Sequence, residues 1–192
     1  MQPITLNLIA APAAARPRAR SSLVAGIIAL AVGLFATILL VPNAGNAQDA
    51  RVVKSMEALK ADTAKLGAPK IEGTDAVGGK AAPALYFGST KMNNNFAIVD
   101  NVVKGGGEGM VATLLVKSDG DFIRVATNLQ NPDGSGRAIG TVLAGPALDS
   151  IKSGKAFFGE VPILGTRYVA DYEPIKDASG AVIGAYFVGY KK

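Results

Sequence analysis

Arg124 is the residue with the most pointed chemistry in this chain. It sits inside the apolar run Phe122-Ile123-Arg124-Val125-Ala126. On a strand it shares a face with Phe122 and Ala126, while Ile123 and Val125 point the other way. A guanidinium among apolar neighbours is either a clamp for an anion, for which its planar fork suits a carboxylate, or an outward-facing charge on a snorkelling stem. Tyr168 and Tyr172 fall on one face of their own strand with Ala170 between them. Both hydroxyls could donate to a carboxylate, and both rings could equally form a core ladder. Phe157 and Phe158 are adjacent, so at most one can face the same side as a pocket. Lys155 and Arg137 fall in loops near strand starts and read as solvated cations. Tyr86 is a weaker candidate for a pocket wall.

Other groupings carry less. Gly105-Gly106-Gly107-Glu108-Gly109 precedes a strand rather than a helix, which is the wrong setting for a phosphate-cradling loop. Asp119 and Asp121 flank a glycine but lack the spacing of a calcium loop and fit hairpin-turn chemistry better. Asp171 and Glu173 point to one face of a strand without the surroundings of a glycosidase pair, and Glu160 has no partner residue in view. The 192 residues include no Cys, His or Trp. Thiolate chemistry, Cys-based metal centres, imidazole acid–base catalysis and the Ser-His-Asp triad are therefore excluded. No catalytic constellation, metal site or cofactor motif emerges.

The net charge of +5 invites a nucleic-acid reading that its distribution rejects. Of the 20 Lys and Arg, Arg16, Arg18 and Arg20 lie in residues 1–47, which hold no acid, leaving 17 cations against 15 acids beyond. The remaining arginines (51, 124, 137 and 167) are scattered, so no basic stripe exists for a phosphate backbone.

The elements that must position these side chains follow in order. Leu23–Val41 is 19 residues without a charge, about 28 Å as a helix, close to a bilayer's hydrocarbon thickness. The arginines before it place the N-terminus in the cytoplasm and send the rest out. Pro42 ends the run, and Ala44–Ala47 offers small residues for signal-peptidase cleavage after Ala47. The segment reads as a signal peptide or an uncleaved membrane anchor, and the chain as exported and periplasmic. Residues 48–192 fit one domain.

That domain opens with a helix over 49–66, whose stripe is Val52, Met56, Leu59 and Leu66, with Asp49 as its N-cap. Ile71–Pro83 is Gly-rich and weakly patterned, and Ala84–Gly88 is a short strand or turn. Asn93-Asn94-Asn95 caps a short helix ending after Lys104. Five strands follow at Gly109–Val116, Asp121–Thr127, Ala156–Val161, Thr166–Pro174 and Ala181–Tyr190, with a short helix at Pro146–Ser153. The fold class expected is α+β, with helices packed on a single antiparallel sheet.

The ordered series GSTKMNNNFAIVDNV (88–102), DFIRVATNLQNPDGSGRAIGTVL (121–143) and SGKAFFGEVPILGTRYVADYEPIKDASGAVIGAYFVGY (153–190) resembles the single Cache sensor domain, more narrowly its Cache 3/Cache 2 fusion type. The resemblance covers residues 81–190 and implies a PAS-like sheet, one face on the long N-terminal helix, the other cupping a small organic acid or amino acid. It implies a sensor rather than an enzyme. On it, Arg124 pairs with a carboxylate, Tyr168 and Tyr172 donate hydrogen bonds, Phe157 or Phe158 closes the apolar wall, and Lys155 is a further ligand-binding candidate. Receptors of this family continue into a second membrane helix and a signalling domain, whereas this sequence stops at Lys191-Lys192. A separate signalling partner protein in the membrane is therefore expected. The competing expectation is a protein-interaction module with no small-molecule ligand.

Overall fold

The computed structural model describes residues 44–192; the apolar run Leu23–Val41 and Pro42 lie outside the described residues. Helix α1 (Ala44–Ala64) buries Val52, Met56 and Leu59, three of the four residues of the expected stripe; Leu66 lies just past its end and packs against the same core. Since α1 already runs from Ala44, Asp49 sits within the helix rather than capping it. Among the described residues no helix is long and apolar enough to cross a membrane.

The main sheet has five antiparallel strands: β4 (Met110–Ser118), β5 (Asp121–Thr127), β6 (Phe157–Ile163), β7 (Thr166–Lys176) and β8 (Val182–Lys191), in the order β5-β4-β8-β7-β6. These are the five strands read from the sequence, within a few residues at each end. The alternation of β7 and β8 sorts side chains into two cores. Val169, Ile175, Tyr186 and Val188 pack with α1 and α2 (Ala97–Gly106). Tyr168, Ala170, Tyr172, Ala185 and Phe187 pack on the opposite face with Ala147 and Ile151 of α3 (Pro146–Lys152). A sheet with both faces covered needs apolar residues at nearly every position, and β4 shows that, with seven buried residues in a row.

Residues 69–91 depart from the sequence reading except at Ala84–Gly88, whose short strand is the end of β2 (Lys80–Phe87) with the turn after it. They form a second, three-stranded sheet: β1 (Pro69–Val77), β2 and β3 (Thr90–Lys91), in chain order. The pattern was weak because β1 is exposed over most of its length, so no burial period marks it. Of the three asparagines before α2, Asn95 accepts from the Ala97 amide at the start of the helix, at 3.2 Å, whereas Asn93 and Asn94 serve this sheet. Asn93 accepts from the Leu85 amide and donates to the Pro83 carbonyl, and Asn94 donates to the Ala76 carbonyl. The α2 N-cap is Phe96, with no side-chain cap. Gly88 lies where α1 meets this sheet: its φ is +56°, and a Cβ there would fall 2.0 Å from the Leu66 carbonyl oxygen. No other residue fits that approach.

Candidate functional site

The site begins with an irregularity in β5. Leu114 pairs with Ala126 and Leu115 with Arg124, so Val125 is an extra residue in the strand. Such a bulge resets the alternation. Phe122 packs in the α3-side core, whereas Val125 and Ala126 both join the helix-side core. Arg124 thus keeps Phe122 as a companion on its face and loses Ala126, contrary to the simple period of two.

Arg124 is only 3% exposed. Its Nη1 donates to the Thr141 hydroxyl at 3.0 Å and the Val142 carbonyl at 2.7 Å. Its Nε is buried with no hydrogen-bond partner. No carboxylate pairs with it among the described residues. Burial holds the guanidinium below its ordinary proton affinity, opposed by the nearby Tyr172 phenol. Burial likewise pushes Tyr172 up to about 12, against the pull of Arg124. Leaving a buried donor unmatched costs about 1–3 kcal/mol, more for a charged group. A buried cation without a charged partner carries a desolvation cost that its neutral contacts only partly offset.

Beside it lies a cavity of about 100 Å³, lined by Arg124, Tyr172, Val142, Ala144 and the segment Val161–Leu164. Tyr172 is fixed by stacking on Phe187 at 4.5 Å between ring centroids and by an edge contact from Phe157 at 6.4 Å. The lining side chains are apolar apart from the guanidinium and the phenol, so the polar groups converge on one part of the cavity.

A larger depression, about 790 Å³, lies between the Gly105–Gly109 loop, Arg51 and Tyr190–Lys192. It is an open trough beside the C-terminal end of α2 and does not enclose a ligand.

The match to known families now has its structural counterpart. A family model described as the Cache 3/Cache 2 fusion domain matches residues 40–192. The chain belongs to this family. Among curated proteins no relative matches the chain. Cache domains are extracytoplasmic sensor domains that bind small molecules, and that is the role of this one.

Within this Cache domain the residues singled out by sequence fall at separate places. Arg124 and Tyr172 meet at one cavity, with Phe157 supporting the Tyr172 ring. Tyr168 lies on the same sheet face as Tyr172 but lines a neighbouring cavity of about 290 Å³, with Val111, Asn128, Leu129 and Lys191 among its walls. Burial raises its phenol as well. Phe158 is 47% exposed on the other side of β6, opposite Asp171, and Lys155 is an exposed loop residue. Tyr86 belongs to the small sheet, under the Lys70 ammonium.

Arg137 is not a free cation. It forms a two-pronged ion pair with Asp100 at 2.7 and 2.9 Å, donates to the Thr127 carbonyl and lies over the Phe96 ring. It ties α2 to the end of β5. Sequence reasoning did not single out Thr141, which accepts from Arg124, or Val142 and Ile163–Leu164, which line its cavity. Their signal was only that they flank turns, which many non-functional residues also do.

Proposed function

We propose that this Cache domain binds a small carboxylate outside the cytoplasm and conveys its occupancy to a signalling partner protein. Arg124 pairs with the carboxylate through Nε and the open side of its fork, and Tyr172 donates a hydrogen bond to it. Val161 and Ile163 contact the hydrocarbon part. The supporting observation is the buried Arg124, whose Nε has no partner and which no carboxylate of the described residues neutralises. A cavity of about 100 Å³ equals the share of roughly three liquid waters at ~30 Å³ each. Acetate-sized acids fit that space better than citrate-sized ones. Binding orders the loop that carries Thr141 and Val142, which shifts the population of surfaces offered to the partner.

The test is a thermal-shift screen of the full chain against short monocarboxylates, hydroxy acids, dicarboxylates and amino acids. An acid at 100 times its dissociation constant stabilises by about 2.7 kcal/mol. The shift is expected for short monocarboxylates and is lost in Arg124→Met. A shift that survives Arg124→Met would move the site elsewhere. Silence across the panel would favour an interaction module without a small-molecule ligand.

A further inference from the structure

One backbone outlier sits where two cavities adjoin. Leu164 has φ of +49°, and the only other non-glycine residues at positive φ among the described residues are Asn94 and Asp119. Asparagine and aspartate tolerate that region because their short polar side chains hydrogen-bond locally; leucine has no such compensation. Ile163 pairs with Thr166, so Leu164 and Gly165 form a two-residue hairpin turn between β6 and β7. Its first central position is one that asparagine commonly fills. Leu164 is half-buried and packs on the α3-side core. Together with Ile163 it lines both the Arg124 cavity and the Tyr168 cavity.

Strained residues persist where the surroundings demand them, and they collect at ligand sites. What leucine offers here over asparagine is apolar surface between two spaces. We propose that Leu164 is a specificity-determining residue, a partition that closes the Arg124 cavity and restricts its carboxylate to a short chain. This rests on the carboxylate reading above. Without the Leu164 side chain the two cavities would join. Their combined space enters the range usual for small-molecule sites, roughly 300–1,000 Å³, and brings the Tyr168 ring within a longer ligand's reach.

The experiment is titration calorimetry of straight-chain carboxylates, from acetate to octanoate, on the purified full chain as wild type, Leu164→Gly and Leu164→Asn. The wild type is expected to bind the shortest acids and to lose about tenfold or more in affinity for each methylene beyond the cavity's capacity. Glycine suits the turn and removes the partition. Leu164→Gly should therefore bind hexanoate at least about tenfold more tightly than the wild type does, and acetate more weakly. Leu164→Asn relaxes the backbone but keeps as many side-chain heavy atoms, so its chain-length profile should stay with the wild type. Melting curves establish that both variants fold. A Leu164→Gly profile that superimposes on the wild type overturns the partition, and so does a Leu164→Asn profile that shifts as far as Leu164→Gly. Failure of every acid to bind the wild type overturns the carboxylate reading itself, and the partition with it.

Discussion

Arg124 is a buried charge with an incomplete set of partners. Its guanidinium loses hydration on burial and recovers neutral partners, the Thr141 hydroxyl and the Val142 carbonyl, with the Tyr172 phenol close by, but no carboxylate. Replacing a poorly compensated buried charge by an apolar side chain of similar length is often neutral or stabilising by a few kcal/mol. Arg124→Met is therefore expected to raise the unliganded protein's stability by about 1–2 kcal/mol in urea unfolding, even as it abolishes carboxylate binding. A lower stability in the variant would mean that the guanidinium is already satisfied in the unliganded protein, and the argument for an anion would weaken with it.

At the scale of elements, the packing of α1 on β7 contains a carboxyl in a poor environment. Asp171 is buried on the helix-side face, where desolvation first, and the neighbouring Glu173 second, push its pKa up from 3.8 to about 6, with Lys60 of α1 opposing. Lys60 itself is ion-paired with Glu173. Because the folded value lies above the unfolded one, the folded state holds the proton more tightly. Stability then falls as the pH rises from about 4 to about 6 and is level above that. Asp171→Asn removes the titration, so urea unfolding at a series of pH values should show the slope across that window flattened. With solvent screening at a partly accessible group, the gain at neutral pH is on the order of 1 kcal/mol. An unchanged slope would assign the pH dependence to other groups.

Across the whole domain, the two sheets are expected to respond differently to ligand. The Arg124 cavity is built from β5, the end of β6, the β6–β7 turn, β7 and the segment before α3. The small sheet β1–β3 contributes to none of its walls. Hydrogen exchange with a bound carboxylate should slow the amides of residues 122–126, 141–144 and 161–165, leaving β1 and β2 unchanged. Protection spread evenly over both sheets would instead indicate global stabilisation without a local site.

How much of this was legible in the sequence differs element by element. The five strands of the main sheet, the α1 stripe and the α+β class follow from apolar periodicity, because a sheet or helix that buries a face must repeat its apolar residues at that spacing. Tyr168, Ala170 and Tyr172 kept the common face that a regular strand imposes. Of the small sheet only the end of β2, within Ala84–Gly88, was legible as a strand, and β1 was not, because an exposed strand has no burial to record. The face shared by Arg124 was only half legible, since the bulge at Val125 is a property of pairing with β4 and not of β5 alone. The separation of Tyr168 from Arg124 was invisible for a related reason. Residues on one face of a sheet can still be divided by a turn folding over them, and here the Ile163–Leu164 wall does that. Residue type alone determined that a guanidinium, two phenols and an apolar sheet were available for binding. Only the tertiary structure decided which of them meet, because long-range packing and not local spacing closes a cavity.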